Sequence, residues 1–99
     1  MELIEKVEEK TIVTLNKNLV ASELSEIKET LKKALDDEPD QLAIDLSQVE
    51  MIDSMGIGVL IATHNTLQKR GEQLELINVC ENIKKLLNTM RLLNHFKID

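Results

Sequence analysis

One stretch of the chain, residues 44–60, reads IDLSQVEMIDSMGIGVL and combines a strand pattern, a loop and the start of a helix. Residues 42–46 are mostly apolar, as expected of a buried strand with a parallel neighbour. Asp53 and Ser54 stand where the helical pattern begins, and either side chain suits the N-cap position. We therefore predict a buried strand that leads through a short loop into a helix.

Two glycines, Gly56 and Gly58, stand in the first turns of this helix. Each glycine inside a helix costs about 1 kcal/mol relative to alanine, so two glycines within three residues indicate a structural or functional reason. Either another stretch of backbone packs closely against the helix, or a partner protein approaches its N-terminus. Both explanations remain open at this point.

The residues before this stretch predict a β-hairpin and then a helix. Residues 3–7 and 11–15 alternate in polarity, with a turn expected at residues 8–10. Ser22 is expected to precede the helix, which ends before Pro39 because proline cannot continue it. Its predicted apolar stripe consists of Leu24, Ile27, Leu31 and Leu35.

The residues after the stretch predict three further elements. Gly71 is a suitable stop for the helix that begins at Ser54, and a strand is expected over residues 73–77. A third helix is expected over residues 81–92, and Phe96 with Ile98 suggests a short last strand. The apolar stripe of the helix at Ser54 comprises Ile57, Leu60, Ile61 and Leu67, and that of the third helix comprises Ile83, Leu86, Leu87 and Met90.

This order of elements predicts one domain of the α/β class over residues 1–99. Strands that alternate with helices favour a mixed β-sheet of four to five strands, packed against three to four helices. A chain of 99 residues has enough apolar surface for one modest core. With one phenylalanine and no tyrosine or tryptophan, that core must consist of aliphatic side chains.

Composition and charge exclude several classes of partner. The net charge of −6 argues against nucleic acid, which requires concentrated lysine and arginine. No apolar run approaches the ~20 residues that cross a membrane, and no secretory signal is evident. The single Cys80 excludes an internal disulfide and fits a reducing compartment. We therefore expect a cytoplasmic protein, and at this size a monomer.

A hydrolase would need a nucleophile beside a base, and the candidates here are Ser54 and His64. The nucleophile elbow Gly-x-Ser-x-Gly is incomplete, because Ile52 occupies its first glycine position. His64 lies ten residues after Ser54 along one helix, which corresponds to about 15 Å, far beyond hydrogen-bond reach. The sequence therefore does not predict an enzyme.

Cofactor and metal sites are also not predicted. A dinucleotide site based on Gly56 and Gly58 would need a third glycine where Ile61 stands. His64 and His95 do not have the spacing of a metal-binding pair, so each is expected to be structural or simply exposed. We expect no cofactor and no metal ion.

The motif around Ser54 resembles the STAS domain, and within it the small stand-alone anti-sigma factor antagonists of bacteria. The resemblance covers nearly the whole chain, and its strength comes from the position of the Asp-Ser-x-Gly motif between this strand and this helix. The residues that carry it are Asp45-Leu46-Ser47, Val49, Ile52, Asp53-Ser54-Met55-Gly56-Ile57-Gly58, Gly71, Leu74-Glu75-Leu76, Ile83-Lys84-Lys85-Leu86-Leu87, Leu92, Leu93 and Phe96.

The resemblance implies a STAS-like fold and a function in partner switching. By this resemblance Ser54 is the phosphoacceptor, and the unphosphorylated form binds a GHKL-type Ser/Thr kinase that is also an anti-sigma factor, which frees the sigma factor. Phosphorylation weakens the complex, and a PP2C-like phosphatase resets it. The residues implied in partner binding are Asp53, Ser54, Met55, Gly56, Ile57, Leu19 and Val20.

Two positions depart from the family pattern. Met55 stands where a second hydroxyl residue is common, which leaves Ser54 as the single candidate acceptor and adds an apolar side chain beside it. Val20 follows Leu19 where many antagonists have a polar or acidic residue, so the partner's identity is open. STAS domains also act as unmodified scaffolds in signalling assemblies and as small subunits of lipid-transport complexes. That use is the main alternative.

Overall fold

The structure, a computed structural model, describes residues 3–98, with side chains from residue 4 onward. Five strands and three α-helices alternate along this part of the chain, and one turn of 3-10 helix precedes the first α-helix. The elements are β1 (Leu3–Val7), β2 (Lys10–Thr14), the 3-10 turn (Ala21–Glu23), α1 (Leu24–Asp36), β3 (Gln41–Asp45), α2 (Ser54–Gln68), β4 (Glu75–Ile77), α3 (Glu81–Thr89) and β5 (Lys97–Ile98).

The strands form one mixed sheet in sequence order, β1-β2-β3-β4-β5. β1 pairs antiparallel with β2 in a hairpin, and each later pair of neighbours is parallel. Each helix joins two parallel strands, as parallel pairing requires. The predicted α/β class with a mixed sheet is therefore confirmed.

The core lies between one face of the sheet and the helices. Val13, Ile44 and Leu76 are register partners on β2, β3 and β4, and all three are fully buried. Their alternation places them on one face, where they join buried side chains of all three helices in a single cluster. The helix residues in this cluster include Ile27, Leu31, Leu60, Leu67, Ile83 and Leu87.

The other face of the sheet is more open and carries an ion pair. Ile12 and Ile77 are half-buried there. Lys10 Nζ on β2 reaches Glu75 Oε1 on β4 at 2.7 Å and must pass across β3 to do so. Ala43 on β3 has no exposed surface, which fits a small side chain beneath this bridge.

The start of the chain differs from the prediction in two details. The hairpin turn consists of residues 8–9 alone, because Lys10 pairs with Val7 and already belongs to β2. Ser22 lies inside the 3-10 turn, and no side chain caps α1, whose N-cap is Glu23. Along α1, Ala34 is buried and Leu35 is half-buried.

The predicted end of the third helix was wrong. α3 ends at Thr89, and Met90 is 44% exposed instead of buried. Arg91 adopts a left-handed conformation with φ of 59°, and the N–H of Leu92 donates to the carbonyl of Leu87 at 2.8 Å. This is a Schellman ending, in which the chain leaves the helix axis directly after Met90.

Candidate functional site

The site is formed where the loop after β2 meets the loop after β3. The N–H of Leu19 donates to the carbonyl of Met51, and the N–H of Asp53 donates to the carbonyl of Leu19, both at 3.0 Å. Leu19 and Ile52 form a parallel β-bridge. The two loops therefore continue the pairing of the sheet beyond the ends of their strands and hold each other in register.

Asn18 strengthens the same junction. Its side-chain oxygen accepts hydrogen bonds from the N–H groups of Glu50 at 2.9 Å and Met51 at 3.2 Å. These bonds satisfy two loop donors that have no strand partner, and they orient the segment that leads to α2. Asn18 was not among the predicted site residues, because its partners lie more than thirty positions away along the chain.

Asp53 is the N-cap of α2, and its carboxylate accepts hydrogen bonds from both α2 and the 3-10 turn. Oδ1 accepts from the N–H of Gly56 and Oδ2 accepts from the N–H of Ala21, each at 2.9 Å. These backbone donors hold the pKa of Asp53 below its ordinary value, with Gly56 contributing most. Of the two N-cap candidates the structure thus selects Asp53, and Ser54 is the first residue of the helix.

The two glycines of α2 have different environments. A Cβ atom on Gly56 would overlap the backbone of Leu19, which lies directly against the helix. The close approach of another stretch of backbone, one of the two explanations considered, therefore accounts for Gly56. A Cβ atom on Gly58 would meet nothing within 4 Å.

The surface at the start of α2 combines a hydroxyl with apolar side chains. Ser54 is exposed, and the flanking Met51 and Met55 are 61% and 56% exposed. Val20, on the neighbouring loop, is half-buried. We call Met51, Ser54, Met55 and Val20 the Ser54 surface.

The remaining residues implied in partner binding lie beneath this surface. Leu19 and Ile57 are buried, with 0% and 3% exposure, and Gly56 is buried against Leu19. The carboxylate of Asp53 is engaged by two backbone donors within the chain. The structure therefore brings all seven residues together but separates them into a surface and its support.

The sequence matches the family profile of the STAS domain over residues 2–99. The chain belongs to the STAS domain family. This match extends over almost the full length of the chain and includes every residue that the structure describes.

Solved structures share the fold of this STAS domain at low sequence identity. A candidate anti-sigma factor antagonist from Thermotoga maritima has a TM-score of 0.90 at 23% identity, covering 98% of this chain and 84% of that one. An anti-sigma factor antagonist from Mycobacterium paratuberculosis has a TM-score of 0.88 at 21% identity, covering 99% and 83%. The phosphorylated form of the Bacillus cell fate determinant SpoIIAA has a TM-score of 0.73 at 15% identity, covering 100% and 91%.

Charged groups surround the Ser54 surface of this STAS domain. Glu50 is exposed on the same loop as Met51. Lys17 forms an ion pair with Glu23 at 3.6 Å and another with Glu26, so its charge is offset locally. The surroundings are therefore acidic on balance, in line with the net charge of −6 for the chain.

Ser54 and His64 do not meet in the STAS domain. His64 is 1% exposed, and its Nδ1 accepts a hydrogen bond from the N–H of Leu74 at 3.2 Å, whereas Ser54 faces solvent. Within residues 3–98 there is no group of three metal-ligating side chains, and no helix is long and apolar enough to span a membrane.

Proposed function

We propose that this STAS domain is an anti-sigma factor antagonist whose unphosphorylated form binds a GHKL-type anti-sigma factor kinase in the cytoplasm. The kinase transfers the γ-phosphoryl group of ATP to Ser54 Oγ, the hydroxyl loses its proton, and ADP leaves. The observation that supports this most strongly is the exposed Ser54 at the first position of α2, with exposed methionines at positions 51 and 55.

The fold suits a phosphate at this position. The N-terminus of a helix carries unpaired N–H groups and the positive end of the helix dipole, and both favour added negative charge. Asp53 already caps the N–H of Gly56, so the phosphate is not needed to complete the helix. Because Ser54 is exposed, a phosphate can remain hydrated without any displacement of the core.

Although the fold tolerates a phosphate on Ser54, the complex with a kinase is weakened by it. Phosphorylation adds about −1.5 to −2 charges, and a partner docked on the Ser54 surface would have to desolvate them. An unpaired charge in a desolvated interface costs several kcal/mol. A loss of ~3 kcal/mol weakens binding by roughly two orders of magnitude. A PP2C-like phosphatase then restores the binding form.

The apolar part of the Ser54 surface indicates how the partner is recognised. Exposed methionines adapt to irregular apolar pockets, and Met51 and Met55 are among the most exposed large apolar side chains of the described residues. Glu50 beside them favours a partner with basic residues around such a pocket. Leu19, Gly56, Ile57 and Asp53 hold this surface in place rather than contact the partner.

Phosphoryl transfer is tested by intact-mass measurement. Each GHKL-type serine kinase encoded in the organism that makes this chain is purified and incubated with the protein, Mg²⁺ and ATP. We expect one kinase to add a single phosphate to the wild type and to Ser47→Ala, whose hydroxyl is also exposed, but not to Ser54→Ala. If no kinase adds phosphate, the unmodified scaffold or adaptor becomes the better account.

A further inference from the structure

Two histidines and a phenylalanine form a ring cluster far along α2 from Ser54, in which His64 and Phe96 are buried and His95 is half-buried. The rings of His64 and His95 lie 4.5 Å apart between centroids at 51°. Phe96 meets both edge-on, at 5.4 Å from His64 and 5.2 Å from His95. The cluster joins α2 to the segment that follows α3, and nothing in the proposed kinase docking uses it.

The hydrogen bonding of His64 defines its protonation. Its Nδ1 accepts from the N–H of Leu74, so this nitrogen carries no proton and the proton of the neutral ring is on Nε2. Among the described residues, Nε2 of His64 and Nε2 of His95 are both buried without a hydrogen-bond partner. Such groups are uncommon in folded proteins because each leaves a desolvated polar atom unsatisfied.

Leu74 connects this histidine to the last strand. Its N–H donates to His64 Nδ1, and its carbonyl accepts from the N–H of Lys97 at the start of β5 at 2.9 Å. The segment is held further by a bond from Gln73 Nε2 to the carbonyl of His95 at 3.4 Å. β5 itself has two residues, and residues 92–98 are held by these bonds, by the ring cluster and by the packing of Leu92, Leu93, Phe96 and Ile98 on the core.

We propose that protonation of His64 releases residues 92–98, including β5, from α2 and β4. A proton on Nδ1 turns the acceptor of the Leu74 N–H into a second donor, and the bond is lost. It also places a positive charge in a site with 1% exposure, against the ring of His95. His95 is the titratable group whose charge acts on His64. When the segment moves away, His95 no longer lies against His64 and water reaches the site. This offsets both the lost hydrogen bond of the Leu74 N–H and the cost of the buried positive charge.

The direction of the pH dependence follows from linkage. Burial, and then the charge of His95, lower the pKa of His64 below its ordinary value. His64 therefore binds a proton more readily when the segment is open than when it is closed, as the pH falls below about 6.5. Residues 92–98 are therefore docked with their full stability above that pH, where His64 is neutral. The free energy that favours docking decreases as the pH falls further.

Amide hydrogen exchange at single residues tests the proposal. Protection factors for the N–H of Lys97, corrected for intrinsic exchange, are compared between pH 7.5 and pH 5.0, with the N–H of Leu31 in α1 as the internal reference. We expect at least a tenfold loss of protection at Lys97 on acidification and little change at Leu31. Equal losses at both residues, or no loss at Lys97, would overturn the proposal.

Two variants separate titration from packing. In His64→Asn an oxygen replaces Nδ1 as the acceptor at the same distance from Cβ but does not titrate, so the pH-dependent loss at Lys97 should disappear. In His95→Phe the ring packing is kept and the neighbouring charge is removed, so the midpoint of the loss should move to higher pH. An unchanged midpoint in His95→Phe, or a persistent loss in folded His64→Asn, contradicts the proposal.

Discussion

Gly56 in α2 lies directly against the backbone of Leu19, with no room between them for a side chain. A Cβ atom at position 56 would lie 2.9 Å from both the carbonyl carbon and the Cβ atom of Leu19, and would overlap its carbonyl oxygen. The close contact is between two main chains, so no flexible side chain can move aside. The loop that carries Val20 is thus placed by a glycine on the neighbouring element.

Gly56→Ala is therefore expected to destabilise the protein, in contrast to the matched variant Gly58→Ala. At position 56 the helix and loop must separate, which costs about 1–3 kcal/mol as in other overpacked sites. At position 58 the added methyl group meets nothing within 4 Å, and the higher helix propensity of alanine should stabilise by up to about 1 kcal/mol. Urea unfolding measures the free energy of unfolding of both variants. Equal effects at the two positions would contradict the close contact between Gly56 and the backbone of Leu19.

Asp53 is expected to stabilise the junction through both carboxylate oxygens. Asp53→Ala removes the acceptors of the Gly56 and Ala21 N–H groups and should lower the melting temperature. Asp53→Asn keeps one acceptor oxygen and should fall between that variant and the wild type. Thermal unfolding by circular dichroism at pH 7 gives the order, and an Asp53→Ala protein as stable as the wild type would contradict it.

Acidification should remove the advantage of the Asp53 carboxylate. Backbone donors hold the pKa of Asp53 below its ordinary value in the folded state. Its contribution is therefore present above the unfolded carboxyl pKa of about 3.9 and is lost as the pH falls through the lower folded value. The stability difference between wild type and Asp53→Asn should shrink between pH 5 and pH 3. A difference that stays constant would show that charge is not involved.

Arg91 offers a position where the protein can be stabilised. It adopts a left-handed conformation at the C′ position of α3 with φ of 59°, where glycine has no steric penalty. Arg91→Gly should stabilise the protein by about 0.5–1 kcal/mol. The steric cost of a left-handed backbone conformation in a residue with a Cβ atom is at most ~1–2 kcal/mol. Gly71, at the corresponding position after α2 with φ of 77°, provides the reverse control. Gly71→Ala should destabilise, and a loss of stability in Arg91→Gly would contradict this account.

The exposed methionines beside Ser54 are expected to contribute to kinase affinity. Met51→Ala and Met55→Ala should each weaken binding of the kinase identified by the mass assay roughly tenfold, the effect of losing about 1.4 kcal/mol of apolar contact. Met90→Ala is the matched control, because Met90 is also exposed but lies at the end of α3. Calorimetric titration measures all three, and an equal loss for Met90→Ala would argue against a localised docking surface.

Much of the fold could be predicted because local patterns and tertiary structure agree. The buried strand at β3, the helix that begins at Ser54 and its stop at Gly71 all carry strong local signals, and the structure contains them. The end of α3 could not be predicted, because Met90 continues the apolar period of the helix. The Schellman ending at Arg91 overrides that period, and arginine gives no local sign of a left-handed conformation.

The candidate site was predictable as a motif but not as an assembly. Asp53 and Ser54 were recognised as the start of a helix from their neighbours in sequence. Their link to Ala21 and the part played by Asn18 join residues more than thirty positions apart. Such contacts depend on the register between two loops, which follows from the packing of the whole sheet and leaves no periodic signal in the sequence.

The central claim is that a phosphate on Ser54 breaks the kinase complex and leaves the fold intact. Protein carrying phosphoserine at position 54, produced by amber suppression, can be compared with the unmodified protein for binding to the kinase by calorimetry, and for melting by circular dichroism. The account predicts about 100-fold weaker binding with cooperative melting at nearly the same temperature. Equal affinity for the two forms, or a phosphorylated protein that no longer folds, would contradict it.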